Sequence, residues 1–193
     1  AIGAMATIVS INMIFVMPAF GFVQAMQPIV GYNYGAKKYD RAKKTLMLSI
    51  IATTVVFALG GLVIQFAPEL LVGMFNKDPE LMGLTVNGIK KYAIAMPLIG
   101  IPIVGTNYIQ SIGKAKVAMV LSLLRQVIVL IPMIMILPKF LELDGVWFAQ
   151  PTADTVAALI TAMVLIKEVK KYAAHKKVET VEIEEEELEE EAV

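Results

Sequence analysis

The sequence contains no cysteine, which excludes disulfides and thiolate-bound metal. Its one histidine, His175, sits in a solvated lysine-rich stretch with no metal-ligating neighbour in sequence. No metal site and no special histidine role are expected. Acid is scarce over most of the chain. Nine of the 17 acidic residues lie in Glu179–Glu191, so residues 1–178 carry 17 bases against 8 acids. Catalytic carboxylate pairs cannot be assigned in that solvated run, and an enzyme is not expected. Gly31-Tyr32-Asn33-Tyr34-Gly35 is not a phosphate-binding fingerprint, because no strand precedes it and its spacing is wrong. The basic excess does not call for nucleic acid, since loops on the cytoplasmic side of a membrane carry the same bias. The first residues, Ala1-Ile2-Gly3-Ala4, have no initiator methionine and no basic n-region, unlike a signal peptide. They read as a cut inside a longer membrane protein.

What fills the chain instead is apolar sequence. Of 193 residues, 58% are hydrophobic, and the mean hydropathy is +0.71. Charge is absent from 1–36, 45–68 and 92–113, and is single in 117–138 and 145–166. A spanning helix needs about 20 mostly apolar residues. The expected fold is therefore an all-α integral membrane protein with five transmembrane helices, at about 4–31, 45–67, 92–112, 116–138 and 146–169. Residues 1–177 form one transmembrane domain, followed by an acidic, disordered tail at 178–193.

Polar residues and prolines inside these spans mark where the helices meet more than lipid. Pro18 is expected to kink the first span beside protein or a cavity. Met5, Met13, Met17 and Met26 fill gaps or line an adaptable pocket. Gly60-Gly61 suggests close packing. Leu70–Phe75 is too short to span and is placed at the interface. Trp147-Phe148 reads as an interfacial anchor. Pro28-Ile29-Val30-Gly31-Tyr32-Asn33-Tyr34 is echoed by Pro102-Ile103-Val104-Gly105-Thr106-Asn107-Tyr108, six of seven positions matching. The echo predicts that both segments cross in the same direction.

Lysine and arginine set the orientation. The loop after the first span holds Lys37, Lys38, Arg41, Lys43 and Lys44; Lys114 and Lys116 follow the third; five lysines follow the fifth. The opposite side holds Lys77, Lys90, Lys91 and Lys139. The positive-inside rule puts the 12 on the cytoplasmic side, and with them the C-terminus, in a multi-pass protein of the cell membrane.

Met17-Pro18-Ala19-Phe20-Gly21, Gln24 and Gln27-Pro28-Ile29-Val30-Gly31-Tyr32-Asn33-Tyr34-Gly35-Ala36 resemble the eighth helix and following loop of the multidrug and toxic compound extrusion (MATE) family, in its DinF-like branch. Asn107-Tyr108-Ile109-Gln110-Ser111-Ile112-Gly113-Lys114 resembles the end of the tenth helix. Asp144-Gly145-Val146-Trp147-Phe148-Ala149-Gln150-Pro151-Thr152-Ala153-Asp154 resembles the entry to the twelfth. The resemblance covers nearly all of the chain up to the tail and implies helices eight to twelve of the C-terminal six-helix lobe. It further implies a secondary active efflux transporter that exports small cationic amphipathic compounds in exchange for Na⁺ or H⁺. The partners are then the lipid bilayer, the substrates and the missing N-terminal lobe. No cofactor is expected beyond that coupling ion, whose carboxylate site lies in the missing lobe.

On this reading Gln24, Gln27, Asn33, Tyr34, Asn107, Gln110, Gln126 and Gln150 are candidates for the substrate cavity or its gate. Gln27, Asn33 and Tyr34 either form a cluster that closes the cavity or simply cap a helix end. Arg125 and Asp154 lie about nine and ten residues inside their spans, near mid-depth from opposite sides. They are expected to pair as a brace or to handle substrate or protons; otherwise Arg125 snorkels to the interface. Two alternatives stand beside the exporter: a lipid-linked oligosaccharide flippase of the same superfamily, which tends to carry more intramembrane basic residues than Arg125 alone, and a non-transporting membrane subunit.

Overall fold

The computed structural model describes the backbone of residues 2–75 and 78–191 and the side chains of residues 3–75, 78, 79 and 81–171. The acidic tail expected over 178–193, and His175, have their side chains outside the described residues.

The first apolar run forms a single helix, α1 (Ile2–Gly35), which passes through Pro18 and Pro28 without ending. Its 34 residues reach roughly 51 Å at about 1.5 Å per residue, well beyond a hydrocarbon layer of about 30 Å. The turn after it is a Schellman cap. Lys37 takes a positive φ of 58°. The Lys37 N–H donates to the Tyr34 carbonyl (3.0 Å) and the Lys38 N–H to the Asn33 carbonyl (2.8 Å). Helix α2 (Tyr39–Phe66) returns across the layer and is followed by the short α3 (Pro68–Gly73).

The helical stretch that holds the third expected span, 92–112, begins before it. Helix α4 (Pro79–Tyr92) runs through a 3₁₀ turn at Ala93–Ala95 into α5 (Met96–Ser111), and the whole stretch Leu81–Ser111 is long and apolar enough to cross a membrane. The lysines at 90 and 91 hid this continuity. Helix α5 closes with the same cap as α1. Gly113 has φ of 82°, and the N–H groups of Gly113 and Lys114 donate to Gln110 (3.0 Å) and Ile109 (3.1 Å).

Helix α6 (Ala115–Leu123) passes through a π-helical segment, Leu124–Leu130, into α7 (Ile131–Glu191). This stretch is bent sharply at Glu142, whose φ of 49° and ψ of −127° are not helical. A Cβ on residue 145 would run into the backbone of Leu137 and Pro138. Only glycine permits that approach, and it folds the two expected spans 116–138 and 146–169 into a hairpin.

Helix α1 and the 81–111 stretch lie parallel, as three contacts at a constant spacing of 80 residues require: Asn12 with Tyr92, Gln27 with Asn107, and Gly31 against Ser111. Two apolar clusters hold the bundle together. One joins Ile8, Ile11, Phe57, Ile64, Ile89, Met96 and Trp147; the other, toward the basic loops, joins Val23, Met26, Val30, Leu46, Tyr108, Ile109 and Leu165. Trp147 is thus no interfacial anchor. Its ring fills the slot left by Gly88, where a Cβ would lie 2.9 Å from it. Gly60 gives the same room to Phe15. Pro18, by contrast, is exposed. The exposed apolar faces, such as Met17, Leu48, Ile51, Leu59 and Met135, suit lipid or further apolar protein rather than water.

Candidate functional site

A cavity of about 410 Å³ opens between α1, α5, α6 and the π-helical segment, with Phe20, Pro102, Asn107, Ser122, Arg125 and Gln126 on its wall. Local structure explains why polar groups arrive there. Pro102 lacks an N–H and lies inside α5, which loosens the ladder one turn before Asn107. Arg125 and Gln126 fall in the π-helical turns, a geometry that inserts a residue into the helix and recurs at functional sites.

Arg125 is held by Asp154 of α7. Its Nε donates to Asp154 Oδ1 at 2.8 Å, and its Nη2 lies 2.7 Å from the same oxygen. The Asp154 side chain is 2% exposed and the arginine 26%, so the acid is the buried partner and the guanidinium reaches toward the cavity. Gln150, one turn earlier, donates long bonds of 3.4 and 3.5 Å to the carboxylate. A lone charge at this depth costs at least about 2.5–3.5 kcal/mol on insertion scales; paired, the two offset each other. Nearby, Val129, Leu130 and Ala153 pack the hairpin closed.

The second polar element crosses from α1 to α5. Gln27 Nε2 donates to Asn107 Oδ1 at 2.9 Å, while Asn107 Nδ2 donates to the Ile103 carbonyl at 2.8 Å. Asn33 is buried and donates to the carbonyl of Ile29 at 2.8 Å. Tyr34 meets Tyr39 edge-on, with ring centroids 5.5 Å apart. Gln27 thus bonds across to α5, Asn33 to its own helix, and Tyr34 packs against Tyr39 of α2. Gln24 and Gln110 lie on exposed surface. The structure thus brings Asn107, Arg125 and Gln126 to one cavity, with Gln27 one hydrogen bond behind it through Asn107 and Gln150 two behind it through Asp154 and Arg125.

Sequence reasoning missed several participants. Thr106 and Ser122 line the cavity; as small hydroxyls in apolar helices they gave no signal. Asn12 donates to the Tyr92 hydroxyl at 3.5 Å, and its own carbonyl oxygen is buried without a hydrogen bond. An amide in an uncharged run was the available signal. At the basic end, Lys114 pairs with Glu168, the one acid inside the lysine-rich flank after the fifth span. Across the molecule Lys91 Nζ lies 2.5 Å from Asp144 Oδ1. Among the described residues no group of three His, Cys, Asp or Glu side chains converges as a metal site would require.

Long apolar helices that carry prolines within them, with polar side chains turned to a cavity between them, define a polytopic helical membrane protein. The model of the MatE family matches residues 1–136, and the chain belongs to that family. Multidrug export protein MepA of Staphylococcus haemolyticus is 27% identical over 164 residues, which is 85% of this chain and 36% of the relative. MepA of Staphylococcus saprophyticus is 25% identical over 145 residues, 75% of this chain and 32% of the relative. Among solved structures, the MATE multidrug transporter DinF-BH is 41% identical with a TM-score of 0.75, covering 81% of this chain and 35% of that one. The outward-facing conformation of a multidrug resistance MATE family transporter of the MOP superfamily, at 16% identity, shares the fold with a TM-score of 0.82 over 89% of this chain and 39% of that one. The chain spans about a third of the length of the curated relatives it matches.

Proposed function

We propose that this chain is the greater part of one lobe of a secondary active exporter of small cationic amphipathic compounds. It works by alternating access against a second lobe, and Na⁺ or H⁺ exchange drives it. The observation that carries the reading is the cavity in a chain of this family, lined by the apolar Phe20, Pro102, Ile103, Leu121 and Leu123 together with the polar Thr106, Asn107, Ser122, Arg125 and Gln126. Such a wall suits a flat apolar body with polar attachments. Asp154 offsets the arginine's charge, so an organic cation meets no uncompensated positive charge. The same pairing disfavours a carrier of lipid-linked sugars, whose pyrophosphate calls for free basic side chains. The coupling ion binds on the second lobe, and the basic loops around Lys37–Lys44 and Lys114–Lys116 face the cytoplasm, as does the C-terminus.

The test is dye extrusion from cells stripped of other efflux pumps. Cells making the whole two-lobe polypeptide should extrude ethidium, and collapsing the Na⁺ and H⁺ gradients separately should identify the driving ion. Cells making residues 1–193 alone should not extrude it, because a lobe cannot rock against an absent partner. Absence of extrusion by the whole polypeptide at normal membrane abundance overturns the exporter. Extrusion by 1–193 alone overturns the two-lobe mechanism. Because the chain has no cysteine, single cysteines at Lys38 and Lys139 report orientation cleanly: the second should react with an impermeant thiol reagent added outside and the first should not.

A further inference from the structure

A second cavity, a groove of about 440 Å³, lies between α2, α5 and α7, away from the polar site. Its walls are apolar: Ile50 of α2, Ile101 of α5, and Ala162 and Leu165 of α7. Its two charged members are Lys43 and Lys170. Both lie at the same edge of the bundle, Lys43 in the second turn of α2 and Lys170 four residues beyond the last apolar run, 145–166. Both are exposed, and neither forms an ion pair among the described residues. The nearest acid on α7, Glu168, is engaged by Lys114 and, at 3.7 Å, by Lys171. From Lys43 to Ile50 is seven residues and from Lys170 to Ala162 eight. The groove thus descends roughly 10–12 Å from its charged rim into the hydrocarbon, at about 1.5 Å per residue.

We propose that this groove holds an anionic glycerophospholipid, its headgroup on Lys43 and Lys170 and one acyl chain along Ile50, Ile101, Ala162 and Leu165. Charge complementarity selects the ligand. A soluble anion leaves the apolar wall empty, and a neutral lipid leaves two lysines without a counter-charge. Basic pockets between membrane helices select anionic headgroups for this reason. Such a lipid bridges α2 to α7 along the groove. The inference rests on the membrane reading of the chain, but not on transport or on which side faces the cytoplasm.

The experiment is native mass spectrometry of the purified, delipidated protein titrated with phosphatidylglycerol, phosphatidylcholine or inorganic phosphate. Phosphatidylglycerol should be retained at least tenfold more tightly than phosphatidylcholine, and phosphate should not bind. Lys43→Gln with Lys170→Gln should weaken phosphatidylglycerol by about thirtyfold, the effect expected of two lysines at an anionic lipid surface. Lys44→Gln with Lys167→Gln removes equal charge outside the groove and should change retention less than threefold. Ala162→Leu fills the groove and should weaken retention with both lysines intact. Equal retention of the two lipids overturns the proposal, as does binding of phosphate alone or an equal loss in the Lys44/Lys167 variant. The wild-type comparison decides the matter even where a variant does not fold. Lipid binding without dye extrusion leaves this site standing and removes only the exporter.

Discussion

The seven-residue segments 28–34 in α1 and 102–108 in α5 share six residues and lie on parallel helices, staggered by six residues against the facing register, yet they do different work. Locally they behave alike. Asn33 and Asn107 each donate to the carbonyl four residues back, and each helix ends in the same cap. Packing separates them. Pro28 is exposed and Pro102 buried; a Cβ on Gly31 would sit 3.6 Å from the Ser111 carbonyl oxygen, in ordinary contact, whereas one on Gly105 would lie 2.5 Å from Thr161 and 2.9 Å from Leu165. Tyr108 is wholly buried, and its hydroxyl has no hydrogen bond among the described residues. Sequence settles what each copy does with its own helix; the neighbours on α7 settle what it does for the bundle.

If α7 is what distinguishes the α5 copy, loosening α7 gives the largest effect. Asp154→Asn alone leaves Arg125 unpaired at the cavity wall and should cost about 2.5–3.5 kcal/mol. Asp154→Asn with Arg125→Gln should cost clearly less. Thermal unfolding of the two purified variants distinguishes them, and equal losses would show that the pair does not fix α7. Next, Gly105→Ala should destabilise by about 1–3 kcal/mol through overpacking against Thr161 and Leu165. Gly31→Ala should be neutral or stabilise by up to about 1 kcal/mol, because alanine is the better helix former and has room. If the two cost the same, the copies do not differ in packing.

Asn107→Ala strands the Gln27 amide and should cost about 1–3 kcal/mol, with slower dye extrusion at near-normal abundance because Asn107 also lines the cavity. Asn33→Ala removes only a bond within its own helix and should stay within about 1 kcal/mol, with extrusion unchanged. The smallest effect is at Tyr108. Tyr108→Phe keeps the ring and removes an unpartnered hydroxyl, so stability should hold or rise by up to about 1 kcal/mol. A loss there would reveal a partner for the hydroxyl.

Charge was the readable quantity in this sequence. Runs free of it located the helices, because a bilayer tolerates few charges and the loops collect them. Counting inward from Lys116 and Asp144 brought Arg125 and Asp154 to one depth, and the Gly145 hairpin turns them toward each other. Features decided by shape were not readable. Gly88 and Trp147 are 59 residues apart, and only the fold puts the ring over the glycine. Gln27 bonds to Asn107 rather than to its near neighbours because α1 and α5 lie in parallel, which pairs residues 80 apart. The length of the helix that leads into the third expected span was masked by Lys90 and Lys91, whose charges stand at the end of α4 and not at a break; Lys91 is neutralised by Asp144.

The corner at Glu142 bears on how the protein enters the membrane. Two spans are joined there by a single non-helical residue, so there is no loop to be threaded across after the first span has settled. On the proposed orientation, with the basic loops in the cytoplasm, the corner is the part that must be translocated, and its charged residues are Lys139, Glu142 and Asp144. The load is small and mixed in sign, so the membrane potential neither drives nor opposes its passage strongly. The two helices, joined without a loop and holding Arg125 against Asp154, are suited to entering the bilayer as one unit.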